Sequence, residues 1–293
     1  MNAPSKFALA VPASTANVAG RHPLAVRDRR FGRGVVPHRW WAGGDPVATA
    51  WFNALSATFP RGETLFIDSV KAFRDGAPPE LEAEVRAFIR QEANHTREHL
   101  AFNRAAETSG YDLREIDAGI AENVARARSR PPIVQLAVTI ALEHYTAMFA
   151  RVFLQDPEAF FAEDSPQSAI WRWHAIEEIE HKGVAYDTYL WATRDWPRFR
   201  RWFLKSYAML DVTVRFIKHR SADALTMLAQ DGMTGWRVKA RLAWYLAGKP
   251  GIFRRIFPAW LSYFLPGFHP WNHDDRALIR KYESEFADAV MQA

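Results

Sequence analysis

The side chains best able to do chemistry in this sequence are carboxylates and imidazoles set at helical intervals. Glu92 and His95 form one Glu-x-x-His pair, and Glu178 and His181 form another. Residues three apart share a face of an α-helix, so each pair can aim two ligands at one ion. Glu63 precedes the first pair and is followed on its face by Phe66, Ile67 and Val70; Glu143 precedes the second, between Ile140 and Ala147. A carboxylate on an apolar stripe is costly unless it is paired, protonated or bound to metal. The 293 residues include no cysteine, which excludes disulfides, thiolate zinc sites, Cys-ligated iron–sulfur clusters and Cys nucleophiles. Imidazole and carboxylate without thiolate suit iron first, then manganese or zinc.

Helices must position these groups. Strand-like alternation is nearly absent and 3.6-residue apolar spacing recurs, which predicts an all-α protein. The pattern gives a short helix over 46–57, a break at Pro60 and Gly62, and a first bundle helix over 61–74. A second follows over 79–108, a crossover with a helical piece over 116–128, a third helix over 132–155 and a fourth over 167–194. The fourth helix turns Ile170, His174, Glu178 and His181 to one side. Glu63 and Glu92 lie equally far from their connecting turn, and so do Glu143 and Glu178 from theirs, so a rise of ~1.5 Å per residue sets each pair level. Chance alone gives roughly 0.6 Glu-x-x-His pairs in such a chain. The order Glu, Glu-x-x-His, Glu, Glu-x-x-His, with level heights, is far more constraining. It predicts a ferritin-like four-helix bundle with one long crossover, holding two metal ions bridged by Glu92 and Glu178.

Charge divides the chain in three. Residues 1–41 carry seven Arg/Lys against one Asp, residues 42–193 carry 14 basic and 23 acidic side chains, and residues 194–293 carry 17 basic and nine acidic. The expected organisation is a basic, partly disordered segment (1–41), the di-metal bundle (42–195) and a basic, aromatic helical extension packed on it (196–293). The basic ends read as solvated Arg-rich surface, with peripheral contact to an anionic membrane as the alternative. No nucleic-acid module is recognisable. There is no convincing secretory signal and no run of about 18 apolar residues, so the default expectation is a cytoplasmic protein. A small molecule is the expected substrate and a second copy of the chain the expected assembly partner.

Two resemblances add to this. The stretches Phe59-Pro60-Arg61-Gly62-Glu63, Gln91-Glu92-x-x-His95-x-x-Glu98-His99, Glu143-His144 and Trp173-His174-x-x-Glu177-Glu178-x-Glu180-His181 resemble bacterial predicted metal-dependent hydrolases. So does Pro266-Gly267-Phe268-His269-Pro270-Trp271 near the C-terminus. His174-x-x-x-Glu178-x-x-His181 is similar to the fourth-helix pattern of p-aminobenzoate N-oxygenase, a di-iron enzyme. That resemblance implies a seventh ligand, His174, beside Glu63, Glu92, His95, Glu143, Glu178 and His181.

Neighbouring residues have open readings. His99 is a further ligand, a donor behind one, or a polar residue at the bundle's mouth. Glu98, Glu177 and Glu180 fall off the inner face. His144 points about 100° away from Glu143 and reads as a buried, hydrogen-bonded histidine. Asp187 either orients a metal-bound imidazole or lies on the surface. The first functional expectation is a di-iron or iron/manganese oxidase or oxygenase acting on a small apolar or amphipathic substrate. The alternatives are a hydrolase using metal-activated water and a non-enzymatic metal-binding or membrane-associated protein.

Overall fold

Asp45 begins the first helix, its carboxylate accepting from the backbone N–H groups of Val47 and Ala48 while Pro46 takes the first helical position. The structure, a computed structural model, describes residues 22–161 and 165–289, so the 1–21 part of the expected N-terminal tail lies outside the described residues. Among the described residues the regular structure is helical, with no β-strand.

The first helix, α1, runs unbroken over Pro46–Lys71, so the expected break at Pro60 and Gly62 is absent. Pro60 has no N–H to offer the Ser56 carbonyl four residues back. Asn103 supplies the missing donor, its Nδ2 reaching Ser56 O at 3.2 Å. The next elements are α2 (Pro79–Thr108), α3 (Arg114–Arg128) in the crossover, and α4 (Pro132–Gln155). Both α2 and α4 open on proline at the first helical position, where its missing N–H leaves no helical hydrogen bond unmade.

The expected fourth helix is two helices, α5 (Pro166–His181) and α6 (Val184–Ala192). They part at Lys182-Gly183, where Trp271 comes in from the C-terminal region. A Cβ on Gly183 would lie 2.2 Å from Trp271 Nε1. Close approach of an indole, not a turn, therefore demands glycine here.

Four helices close on one another: α1 packs on α2, α2 on α5, α5 on α4 and α4 on α1. Their shared interior holds Phe52, Phe88, Leu136, Ile140, Ile170 and Trp173, all but fully buried. α4 is long and apolar enough to cross a membrane, yet two thirds of its apolar window is buried inside the protein, against α1, α5, α6, α7 and α9. Helix α7 (Arg198–Gln230) lies on α1 and α4, α8 (Trp236–Ala247) on α1 and α7, α9 (Ile252–Ser262) on α4 and α8, and α10 (Arg276–Tyr282) on α4 and α5. α7 also turns Phe199, Phe203, Tyr207, Leu210 and Val214 outward to solvent.

Candidate metal centre

All seven side chains singled out in the sequence meet inside the four helices, and each is at least 96% buried. Glu63 comes from α1, Glu92 and His95 from α2, Glu143 from α4, and His174, Glu178 and His181 from α5. They fall into overlapping groups whose ligand atoms lie within 4.8 Å of one another: Glu63, His95 and His174; Glu92, Glu143 and His181; Glu92, His95 and Glu178. His181 Nε2 is 3.3 Å from Glu92 Oε1, 3.5 Å from Glu143 Oε2 and 3.4 Å from Glu178 Oε1. His95 Nδ1 is 3.8 Å from Glu92 Oε2 and 3.7 Å from Glu178 Oε1. His174 Nε2 is 2.7 Å from Glu178 Oε1 and 3.8 Å from Glu63 Oε1. Thus Glu92 and Glu178 each face both ends of the cluster.

The donor set fits metal ions. Glu63 Oε1, both oxygens of Glu92 and of Glu143, Glu178 Oε2, His95 Nδ1 and His181 Nε2 are buried without a hydrogen-bond partner. Such atoms are costly unless something satisfies them. Nearly all are lone-pair acceptors aimed inward, which a cation satisfies and another acceptor cannot. Donor atoms 3–4 Å apart suit an ion ~2.0–2.2 Å from each. Burial pushes Glu63, Glu92 and Glu143 well above the ordinary carboxylate range, and the neighbouring carboxylates add to the rise. For Glu178, burial acts upward too, but His181 and His174 outweigh it and hold the group well below that range. Burial pushes His95 down, leaving it neutral with a free lone pair.

Each imidazole has an acceptor for its outer N–H, as metal-binding histidines require. His95 Nε2 meets Glu177 Oε2 at 3.1 Å. His181 Nδ1 meets Gln91 Oε1 at 3.2 Å, and Gln91 Nε2 in turn donates to Glu180 Oε2 and Ala25 O, which fixes the amide's orientation. His174 Nδ1 meets His99 Nε2 at 2.6 Å. Behind it, His99 Nδ1 lies 2.8 Å from Ser56 Oγ, which donates to Asn103 Oδ1 at 2.7 Å. Since Ser56 Oγ–H is spent on Asn103, Ser56 accepts from His99, and His99 accepts from His174. The chain leaves the Nε2 lone pair of His174 facing Glu178 and Glu63. It begins at the same Asn103 that repairs the gap left by Pro60. His99 is therefore the positioning partner of His174 rather than a member of the inner groups.

Glu98, Glu177 and Glu180 do lie off the inner face, but they are buried, not solvated. The N-terminal segment covers them. Arg27, 3% exposed, clasps Glu180 with two hydrogen bonds of 2.9 and 2.8 Å, and its backbone N–H donates to Glu177 Oε1 at 3.0 Å. Phe31 N and Arg33 donate to Glu98. The expectation of a solvated basic surface fails at Arg27, because buried carboxylates require a buried counter-charge. The acidic excess of the middle was the available signal; the tertiary pairing was not in it. Asp187 does orient an imidazole, but that of His269, at 3.0 Å, outside the cluster. His144 is buried as expected, its Nε2 3.3 Å from Ala259 O and its ring against Tyr263 and Phe268; burial pushes it down to about 3. Phe59, Phe88 and Trp173 wall the imidazoles, with ring centroids 4.6 Å from His174, 4.9 Å from His181 and 4.9 Å from His95.

An all-α protein with a buried His/Glu cluster able to hold metal ions is the class these observations define. The chain belongs to the family described as predicted metal-dependent hydrolase, which matches it over residues 25–274. No curated protein and no solved structure matches it.

Proposed function

We propose that the cluster is a two-metal centre of the ferritin-like type and that the protein is a metal-dependent hydrolase of a small molecule. The observation that carries this reading is the set of eight partnerless, buried ligand atoms distributed over three overlapping groups, two of which share Glu92 and two of which share His95. One ion would be held by Glu63, His95 and His174 and the other by Glu143 and His181, with Glu92 and Glu178 placed between the two sets. Bound metal would supply Lewis acidity and a water acidified to near neutrality. The chain's own residues do the rest. Glu177, Gln91 and His99 hold the three imidazoles in the ligating tautomer, and Phe59, Phe88 and Trp173 exclude bulk water.

Oxidation of the substrate is the second reading, with iron or manganese as the metal. It is favoured by the donor set, three imidazoles and four carboxylates without thiolate, and by the spacing of His174, Glu178 and His181. Turnover in isotopically labelled water or under labelled dioxygen separates the two. Hydrolysis places the label from water in the product and proceeds anaerobically; oxidation requires dioxygen and consumes it. Turnover unaffected by chelation and by loss of Glu92 refutes both.

A further inference from the structure

A cavity of about 480 Å³, a size typical of small-molecule sites, lies between α1, α3, α4 and α7. Its walls are mainly apolar, with Leu65, Phe66, Val134, Val138 and Phe149 among them. Phe59 and Gly62 of α1 and Leu142 and Thr146 of α4 are also part of its lining. These residues flank Glu63 and Glu143 in the chain, and the Phe59 ring rests 4.5 Å from His99 and 4.6 Å from His174. One layer of side chains thus separates the cavity from the cluster.

Gly62 is the informative residue. It sits inside α1 in ordinary helical conformation, and a Cβ there would meet nothing within 4 Å. Neither backbone geometry nor packing calls for glycine, and glycine in a helix interior costs stability relative to alanine. What its missing side chain preserves is open space beside Glu63.

Cationic side chains line the cavity as well: the exposed Arg126, Arg130 and Arg215 with His219, and the buried Arg220, which donates to Ala54 O of α1. Arg215 pairs with Asp211 and Arg220 with Asp223, whereas Arg126 reaches only the Asn123 amide oxygen at 3.3 Å. Among the described residues neither Arg126 nor Arg130 forms an ion pair with a carboxylate. His219 is pushed down by its partial burial and by Arg220, Lys218, Arg215 and Arg126 around it, which marks the rim as electropositive.

An apolar interior beneath a cationic rim is complementary to one class of ligand. We propose that this cavity binds a single-chain anionic amphiphile, its anionic head held by Arg126 and Arg130 and its apolar body extending to Phe59 and Gly62. That this ligand is the substrate rests on the two-metal reading; that it binds does not.

The test is displacement of an environment-sensitive fluorescent fatty acid from the full-length protein, with metal content and melting temperature measured on the same samples. Dodecanoate and dodecyl phosphate should displace the probe at least about tenfold better than dodecanol or dodecylamine. The two anions distinguish a free fatty acid from a phosphate-headed lipid as the source, and preference for either supports the proposal. Gly62→Leu should melt no lower than the parent, keep its metal and bind dodecanoate at least about tenfold more weakly. The double variant Arg126→Glu, Arg130→Glu should lose the preference for anions. Equal displacement by alcohol and acid, or unchanged binding in Gly62→Leu, overturns the inference. Metal without amphiphile binding sinks the cavity alone; amphiphile binding without metal sinks the two-metal reading and leaves the cavity.

Discussion

Replacing Glu177 by glutamine tests how the protein sets its ligands. The carboxylate of Glu177 accepts twice, from His95 Nε2 at 3.1 Å and from the Arg27 backbone N–H at 3.0 Å. A glutamine of the same size offers one acceptor and one NH2 donor, so one of those two donors must face another donor. If His95 yields, its proton moves to Nδ1, the atom turned toward Glu92 and Glu178, and the ring can no longer ligate. Loss of such a supporting partner costs about 10–100-fold in metal affinity, equivalent to about 1.4–2.8 kcal/mol. If Arg27 N–H yields instead, the cost falls on folding, at about 1–3 kcal/mol. His95 belongs with Glu63 and His174, while Glu143 and His181 lie at the other end. Chelator competition should therefore show one binding step weakened by Glu177→Gln and the other near its original strength. Two unchanged steps in a protein of unchanged stability would refute the orienting role; equal loss of both would refute the division of the cluster into two ends.

Other expectations follow the same logic. His174→Ala should change metal binding while keeping the fold, whereas His144→Ala should mainly cost stability, by about 1–3 kcal/mol from the lost partner of Ala259 O; metal analysis and thermal melts separate them. Gly183→Ala should destabilise by about 1–3 kcal/mol, since its Cβ would collide with the Trp271 indole, and denaturant melts read the loss. Burial raises Glu63, Glu92 and Glu143, so the metal-free fold binds more protons than the unfolded chain above the ordinary carboxylate range. Those groups' contribution therefore declines as pH rises through the raised values, while metal, which displaces protons, binds better. The gain in melting temperature on adding metal should grow from about pH 5 to about pH 8, and a gain independent of pH would contradict this. Arg27→Ala, which strands Glu177 and Glu180 without their counter-charge, should cost about 3–5 kcal/mol in the same melts.

Much of the cluster was legible because helical periodicity converts sequence spacing into a shared face. Glu92 with His95, and Glu178 with His181, need only one helix each to converge, and level heights about a turn bring the pairs together. What failed was local reading where a tertiary partner intervenes. Pro60 looks like a helix breaker until Asn103, far along the chain, supplies the missing hydrogen bond. The fourth helix looks continuous through Gly183 until Trp271 arrives against it. Glu177 and Glu180 read only as lying off the inner face, and what they pair with shows only once Arg27 is laid over them. No periodicity within α5 could reveal a partner 150 residues upstream. The orientation of His99 was likewise invisible, because it depends on Ser56 and Asn103 from two different helices.

The most direct test of the two-metal reading is elemental analysis of the purified protein beside Glu92→Ala. Because Glu92 belongs to ligand groups at both ends of the cluster, the account predicts close to two metal ions per chain in the parent and loss of both in the variant, with the helical spectrum intact. A parent protein without stoichiometric metal after loading, or a folded Glu92→Ala protein that keeps its full complement, would contradict it.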